Sequence, residues 1–242
     1  MDNVIEIQNL KKSFGKNEVL KGLSLRLKRG ENLALLGKSG TGKSVLIKCI
    51  VQLVKPDSGS IKVLNRELNR LNKYEIDELR QKVGYLFQGG ALYDSMSVRE
   101  NLEFPVRRTR KRKSKKELDE MVLEVLDSVG LTEAVDKMPA ELSGGMKKRI
   151  GLARTLILKP EIILYDEPTT GLDPVTSGEI SELMLRIQEK YNTSSIIVTH
   201  DMKCVKMTSN KIKLLVDGKF YAEGTYEELS NSENENIKGY FN

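Results

Sequence analysis

Short apolar runs alternate with amphipathic stretches along most of this chain. The runs predict β-strands, and these are Val4–Ile7, Leu23–Leu27, Asn32–Leu36, Ser60–Val63, Val83–Phe87, Ile162–Tyr165, Ser195–Thr199, Ile212–Val216 and Lys219–Ala222. Between the runs, helical periodicity predicts helices, which are Lys43–Leu53, Lys115–Val129, Gly145–Leu158, Val175–Lys190 and Asp201–Met207. Strands that alternate with helices in this way predict an α/β sheet protein.

The middle of the chain is predicted to be mostly helical. Ser114 and Glu117 form an S-x-x-E capping box at the start of one helix, and Gly130 suits the left-handed position after its end. We therefore expect one domain over residues 1–242, with a helical subdomain inserted at about residues 97–158. The polar run Ser230–Asn236 predicts that the short tail at about 225–242 is frayed.

Composition narrows the class of protein. The 242 residues are 39% hydrophobic and 31% charged, the balance of a globular domain with a sizeable core. The apolar runs fall far short of the roughly 18 residues that a membrane span requires, and the first residues lack a basic leader and apolar core. We therefore expect neither an integral membrane protein nor a secreted one. Two cysteines, Cys49 and Cys204, indicate buried thiols in a reducing compartment.

The positive charge of the chain is local. Its net charge is +6, yet residues 107–116 alone carry eight basic side chains and no acidic one. The rest of the chain is nearly neutral, so the whole protein does not have the charge of a nucleic-acid binder.

The clearest chemical motif is a phosphate-binding loop of the form G-x-x-x-x-G-K-[ST]. It follows a predicted strand and opens a predicted helix, and it consists of Gly37, Lys38, Ser39, Gly40, Thr41, Gly42, Lys43 and Ser44. The glycines let backbone N–H groups surround a phosphate at a helix N-terminus. Lys43 can reach the β- and γ-phosphates, and the Ser44 hydroxyl can ligate Mg²⁺.

A second motif is the apolar strand Ile162–Tyr165, which is followed by Asp166 and Glu167. A buried strand in a phosphate-loop protein can deliver Asp166 to hold Mg²⁺ and Glu167 to polarise an attacking water as general base. With the phosphate loop, these residues indicate hydrolysis of a nucleoside triphosphate.

A third motif, Leu142–Met146, reads LSGGM and precedes a helix. Taken alone, Ser143, Gly144 and Gly145 would be an ordinary helix cap. Together with the two earlier motifs, the run resembles the signature of the ATP-binding subunits of ABC transporters. The resemblance implies a P-loop NTPase fold, with a RecA-like core sheet, an inserted helical subdomain and an N-terminal antiparallel β region. It also implies that the signature contacts the ATP held by the other subunit of a head-to-tail dimer.

Other landmarks of that family follow in order. Gln88 is similar to the Q-loop glutamine, which the family uses to contact Mg²⁺ and the permease. Residues 170–173 resemble the D-loop, which includes Asp173, and His200 resembles the switch histidine that senses the γ-phosphate. Phe14 lies where the family stacks an aromatic ring on adenine. The implied catalytic set is therefore Glu167, His200, Gln88 and Lys43, and the implied metal ligands are Ser44, Gln88 and Asp166.

Two segments narrow the resemblance further. Phe87–Val98 and Pro139–Met146 are similar to the ATPases of Mla-type, Mce-associated phospholipid transporters, with Met146 where most ABC ATPases carry Gln. This resemblance implies ATP and Mg²⁺ as cofactors, a homodimer closed by two ATP molecules, an integral membrane permease and an Mce-type lipid-binding partner. It places the chain on the cytoplasmic face of the cell membrane as a peripheral subunit. Alternatives are a permease for amino acids or lipoproteins, or a soluble ABC ATPase acting on ribosomes or DNA.

The basic segment at residues 107–116 has three interpretations. It is a solvated loop, a nucleic-acid contact or a weak contact with anionic lipid. Nucleic acid is not expected, because no aromatic residue is interleaved in the run to stack on bases.

Overall fold

The computed structural model describes residues 2–110 and 112–241. Lys111 of the basic segment, Met1 and Asn242 lie outside the described residues. The strands are β1 (Asn3–Phe14), β2 (Asn17–Lys28), β3 (Asn32–Leu36), β4 (Ser58–Val63), β5 (Arg66–Glu67), β6 (Val83–Leu86), β7 (Ile162–Asp166), β8 (Ser194–Val198), β9 (Lys211–Val216) and β10 (Lys219–Gly224).

The α-helices come between and after these strands. They are α1 (Lys43–Ile50), α2 (Lys73–Lys82), α3 (Val98–Arg107), α4 (Lys115–Ser128), α5 (Gly144–Leu156), α6 (Pro174–Tyr191), α7 (Met202–Thr208), α8 (Tyr226–Ser230) and α9 (Glu235–Lys238). Local capping explains where several begin. The predicted box of Ser114 and Glu117 opens α4, and Gly130 adopts the left-handed conformation beyond its end.

The strands form two sheets. The larger sheet has the order β10-β9-β3-β8-β7-β6, and β3, β8, β7 and β6 run parallel to one another. The smaller sheet, β2-β1-β4-β5, is antiparallel. The expected α/β architecture with an N-terminal antiparallel region is therefore confirmed.

The parallel strands are buried on both faces. Every residue of β3, β7 and β8 is buried, as expected where helices or a second sheet cover both sides. Alternate residues of β7 then serve different cores. Ile162 and Leu164 pack with α1 and the antiparallel sheet, whereas Ile163 and Tyr165 pack with helices α3 to α6. The helices between residues 98 and 156 thus share one core with the central sheet.

Helix α5 lies unusually close to the end of β6. A Cβ atom on Gly151 would stand 2.9 Å from the Gly90 carbonyl oxygen, and one on Gly84 would stand 2.4 Å from Cγ2 of Thr155. Both contacts are too short for a side chain, so glycine at these positions lets the helix backbone approach the strand and the loop that follows it. This approach sets the distance between α5 and Gln88.

Several elements differ from the sequence-based expectations. Helix α1 ends at Ile50 instead of Leu53, because Gln52 has a positive φ of 57° that helical geometry does not accept. Helix α2 was not expected, since Leu79 is its one buried residue and no apolar stripe marks it. Strands β1 and β2 extend well beyond Val4–Ile7 and Leu23–Leu27 as a long hairpin.

The C-terminal tail is also more ordered than its polar composition suggests. Its helices α8 and α9 bring Leu229, Ile237 and Phe241 against the cluster that contains Ala34, Leu36 and Leu214. Both cysteines are buried free thiols, as predicted. Within the described residues, no helix has the length and apolar character needed to cross a membrane.

The core contains one polar group whose removal should not destabilise the fold. Tyr165 is 1% exposed, and its hydroxyl has no hydrogen-bond partner among the described residues. Burial raises the pKa of this phenol, so the group is neutral. Because an unpaired buried hydroxyl is unfavourable, we expect Tyr165→Phe to raise the free energy of unfolding by about 1 kcal/mol in urea denaturation.

Leu164→Ala, on the same strand, serves as the control and should lower the free energy of unfolding by about 2–5 kcal/mol. A Tyr165→Phe variant that loses more than about 1 kcal/mol would mean that the hydroxyl does have a favourable partner.

Candidate active site

The phosphate loop joins the end of β3 to α1. Gly42 is the N-cap of α1 and has a φ of 102°, which a residue with a Cβ rarely adopts. Lys43 is 6% exposed, and its Nζ donates to the carbonyls of Gly37 at 2.7 Å and Lys38 at 2.9 Å. Burial lowers the pKa of Lys43, although the negative charges of Glu167 and Asp166 oppose that shift. The loop is therefore folded around its own ammonium group.

Asp166 ends β7 beside the loop. Its Oδ1 accepts a hydrogen bond from Ser44 Oγ at 2.8 Å, and its Oδ2 accepts one from the Tyr85 hydroxyl at 2.9 Å. The carboxylate is 6% exposed, so these two donors hold its orientation. Since hydroxyl and carboxylate oxygens are the donors that Mg²⁺ prefers, the facing Ser44 and Asp166 oxygens fit a magnesium site.

Glu167 follows directly and has an unusual backbone. Its φ is +52°, in the left-handed region that costs a non-glycine residue about 1–3 kcal/mol. Its Oε2 lies 2.9 Å from Nδ1 of His200 and accepts a hydrogen bond from Thr170 Oγ1 at 2.8 Å. In this backbone conformation, the carboxylate contacts His200 and Thr170.

One cavity of about 650 Å³ lies beside these groups, and Asp166 contacts its wall through Ser44 without lining the cavity itself. It is lined by Phe14, Val19, Gly37, Lys38, Ser39, Gly40, Gly42, Lys43, Ser44, Val45, Gln88, Glu167 and His200. The structure therefore brings together the predicted phosphate loop, Gln88, Glu167 and His200. Thr41 instead donates from its hydroxyl to the Lys38 carbonyl at 2.9 Å.

Phe14 stands at the outer end of this cavity. Its ring is 50% exposed, and Nζ of Lys12 lies 5.3 Å from the ring centroid. An exposed aromatic face of this kind can stack on a planar base. The contact of Phe14 with adenine stays a prediction.

Besides Thr41, four further predicted nucleotide contacts do not line the cavity. Ser143 caps α5 by accepting from the Met146 amide at 3.2 Å. Asp173 caps α6 by accepting from the amides of Val175 and Thr176. Gly144 and Gly145 lie beside Leu172 and Thr176, so the two caps are neighbours on the surface. Within one chain, Ser143, Gly144, Gly145 and Asp173 therefore form a separate patch.

Two residues near the cavity, Tyr85 and Lys148, were not predicted from the sequence, and Thr170 was predicted as part of the D-loop but not as a partner of Glu167. Lys148 is 7% exposed, and burial lowers its pKa. Its Nζ donates to the backbone carbonyls of Gln88 and Glu167. The sequence could have indicated Lys148, because it is a charged residue on the side of α5 whose other residues are buried and mostly apolar.

A second hollow of about 390 Å³ lies behind β6, lined in part by Tyr85, Phe87, Tyr93 and Arg154. The Arg154 guanidinium lies 4.6 Å from the Tyr93 ring and donates to the Ala91 carbonyl.

Most of the described side chains in the basic segment contact residues close to them in the structure. Arg107, Lys113 and Lys116 pair with Glu103, Glu117 and Glu120, while Arg108 and Arg110 stack on Phe104 and Tyr74.

Comparison with known proteins identifies the family of this chain. The family model described as "ABC transporter" matches residues 20–170. The chain is 38% identical to the intermembrane phospholipid transport system ATP-binding protein MlaF of Haemophilus influenzae, over 96% of this chain and 87% of that protein. It is also 38% identical to the methionine import ATP-binding protein MetN of Clostridium tetani, over 93% of this chain and 70% of that protein. It is likewise 38% identical to the probable ribonucleotide transport ATP-binding protein mkl of Mycobacterium leprae, over 100% of this chain and 70% of that protein.

Solved structures show the same fold. The dimeric post-hydrolysis state of the ATP-binding cassette MJ0796, bound to ADP and Pi, superposes with a TM-score of 0.83 and 32% identity, covering 91% of this chain and 98% of that one. CbiO1 of Clostridium perfringens gives a TM-score of 0.86 and 30% identity, covering 94% of this chain and 90% of that one. This chain therefore belongs to the ABC transporter family, and it is an ATPase subunit of that family.

Proposed function

We propose that this ATPase works as a homodimer that drives a phospholipid permease from the cytoplasmic face of the membrane. The observation that carries the catalytic part is the single cavity shared by the phosphate loop, Gln88, Glu167 and His200. The phospholipid part rests on the segment Phe87–Val98 and on the likeness to MlaF.

In the proposed reaction, Glu167 polarises a water molecule whose oxygen attacks the γ-phosphorus of ATP. The bond from that phosphorus to the β,γ-bridging oxygen breaks, and the water proton passes to the Glu167 carboxylate. Lys43 and the loop amides would stabilise the charge that develops on the phosphoryl oxygens. His200, which contacts Glu167, would orient the carboxylate and sense the γ-phosphate.

Ser44, Asp166 and Gln88 are the residues that would hold Mg²⁺. When bound, the ion would neutralise charge on the β- and γ-phosphate oxygens. Ser44 Oγ and the Asp166 carboxylate are already paired at 2.8 Å, which supports this assignment because both supply oxygen donors at the edge of the phosphate loop.

The dimer is proposed because one chain separates its nucleotide contacts into two places. Ser143, Gly144, Gly145 and Asp173 lie outside the cavity that holds Lys43 and Ser44. In a head-to-tail dimer, each ATP would lie between one phosphate loop and the Ser143, Gly144 and Gly145 of the partner subunit. The N-terminus of α5 would then contribute its exposed amides to a second anion contact.

The local pairing of the described residues of the basic segment favours the interpretation in which these side chains are solvated. Three of its basic side chains pair with neighbouring carboxylates and two stack on aromatic rings, so the net positive charge offered to anionic lipid is reduced and any attraction would be weak. A permease and an Mce-type lipid-binding protein are the proposed partners.

Glu167→Gln should stop hydrolysis while ATP still binds, because the amide cannot accept the water proton. We expect turnover to fall by about 10²–10⁴-fold, and the variant to form an ATP-dependent dimer in size-exclusion chromatography with light scattering. Glu182→Gln on the exposed side of α6 is the matched control and should behave as wild type. A Glu167→Gln variant that stays monomeric with saturating ATP would refute the ATP-closed dimer.

His200→Ala should separate binding from turnover. The side chain is largely exposed and contacts Glu167 through Nδ1, so its loss should leave nucleotide affinity within about twofold while kcat falls by about 100-fold. Equilibrium binding of a fluorescent ATP analogue and steady-state phosphate release measure the two effects. Lys203→Ala, three residues further on at an exposed position, should leave both unchanged. Hydrolysis by His200→Ala at a near-normal rate would contradict the switch role.

The cargo is tested by affinity purification of the tagged chain from mildly solubilised native membranes, followed by mass spectrometry of proteins and lipids. We expect a multi-span permease, an Mce-type protein and enriched phospholipid. Recovery of an amino-acid permease would retain the ATPase mechanism and reject the phospholipid cargo. Ribosomes or DNA in place of any permease would reject the transporter itself.

A further inference from the structure

Lys148 carries a buried positive charge without a carboxylate in direct contact. None of the ion pairs among the described residues involves it, although its side chain is almost fully covered. A buried ammonium is unfavourable unless hydrogen bonds replace its water. In this chain, those hydrogen bonds go to backbone carbonyls, and the two carbonyls belong to loops at the cavity.

The two acceptors are the carbonyls of Gln88 and Glu167, the latter at 3.1 Å. Gln88 follows β6 and Glu167 follows β7, which are adjacent parallel strands in the sheet. One ammonium group therefore spans the loops that carry two of the proposed catalytic residues. Neither contact involves the side chain of Gln88 or Glu167, which leaves both side chains available to the cavity.

The backbone of Glu167 needs such support. Its left-handed conformation is one that surrounding contacts must hold in place. The Glu167 amide donates to the Val198 carbonyl at 2.8 Å, which ties it to β8. Lys148 holds the other side of the same residue by its carbonyl. The direction in which the Glu167 carboxylate points thus depends on both contacts.

Close packing fixes the position of α5, the helix that carries Lys148. Gly151, one turn further on the same face, lies against Gly90, so the helix cannot move closer to the Gln88 loop. The same helix begins at Ser143, in the patch proposed to contact a second nucleotide. A shift of α5 would therefore displace or release the carbonyls of Gln88 and Glu167.

We propose that Lys148 is a positioning residue that holds Gln88 and the left-handed backbone of Glu167 in register with α5. The proposal rests on the function proposed above, because it acts through Glu167 as general base. Lys148 itself touches no substrate. It places the groups that do.

Lys148→Met removes the ammonium and retains a chain of similar length. We expect kcat for ATP hydrolysis to fall by about 10- to 100-fold, because a small misplacement of the base is costly. The dissociation constant for ATP, measured with a fluorescent analogue, should stay within about twofold, because Lys43 and the phosphate loop are untouched. Lys148→Gln retains an uncharged N–H donor and should recover at least about threefold of the lost rate.

Lys147→Met is the matched control on the same helix and should retain wild-type turnover. Circular dichroism melts of all variants, with activity expressed per folded molecule, separate positioning from loss of fold. Hydrogen exchange followed by mass spectrometry should show faster exchange in peptides that cover Gln88 and Glu167 in Lys148→Met.

Three results would overturn the proposal. The first is that Lys148→Met retains turnover within twofold of wild type per folded molecule. The second is that Lys148→Gln is as slow as Lys148→Met. The third is that Lys147→Met is as slow as both Lys148 variants. Failure of the proposed function looks different, because wild-type protein would then show no hydrolysis that Glu167→Gln abolishes. A wild type that depends on Glu167 together with an active Lys148→Met would reject the positioning role alone.

Discussion

The parallel alignment of β3, β8, β7 and β6 is the constraint on which the candidate site depends. Parallel strands place their carboxyl ends at one edge of the sheet, and each of these four is followed by a different motif. Leu35 pairs with Val198, Val198 with Asp166, and Leu86 with Tyr165, so the registers bring the strand ends level. Residues separated by more than 160 positions thereby face one cavity.

Buried charge is the second feature of this sheet edge. Lys43, Lys148 and Asp166 are all less than a tenth exposed, and Glu167 contacts His200 and Thr170. Burial alone would drive the two lysines toward their neutral forms, and the nearby carboxylates oppose that tendency. The site is therefore held by hydrogen bonds from the two lysines to backbone carbonyls and by attraction between the lysines and the nearby carboxylates.

The helical segment is tied to this edge through backbone contact. The glycines at 84 and 151 allow α5 to approach β6 and the loop after it, and Arg154 donates to the Ala91 carbonyl from the same helix. Helices α3 to α6 also share a core with one face of the sheet. Because the backbones of Gly151 and Gly90 are in close contact, a movement of α5 toward the loop would displace that loop.

The sequence by itself determined the features that depend on neighbours along the chain. The glycines and lysine of the phosphate loop, the capping box of Ser114 and Glu117, and the apolar strands before Asp166 and His200 are local patterns, and the fold expected from them was confirmed. The family was identified because its motifs keep their order. Only the tertiary structure decided that Lys148 reaches Gln88 and Glu167, that Tyr85 donates to Asp166, and that the polar tail packs through Leu229 and Phe241. These contacts join residues far apart in the chain, and their energy comes from burial and pairing that local composition does not encode.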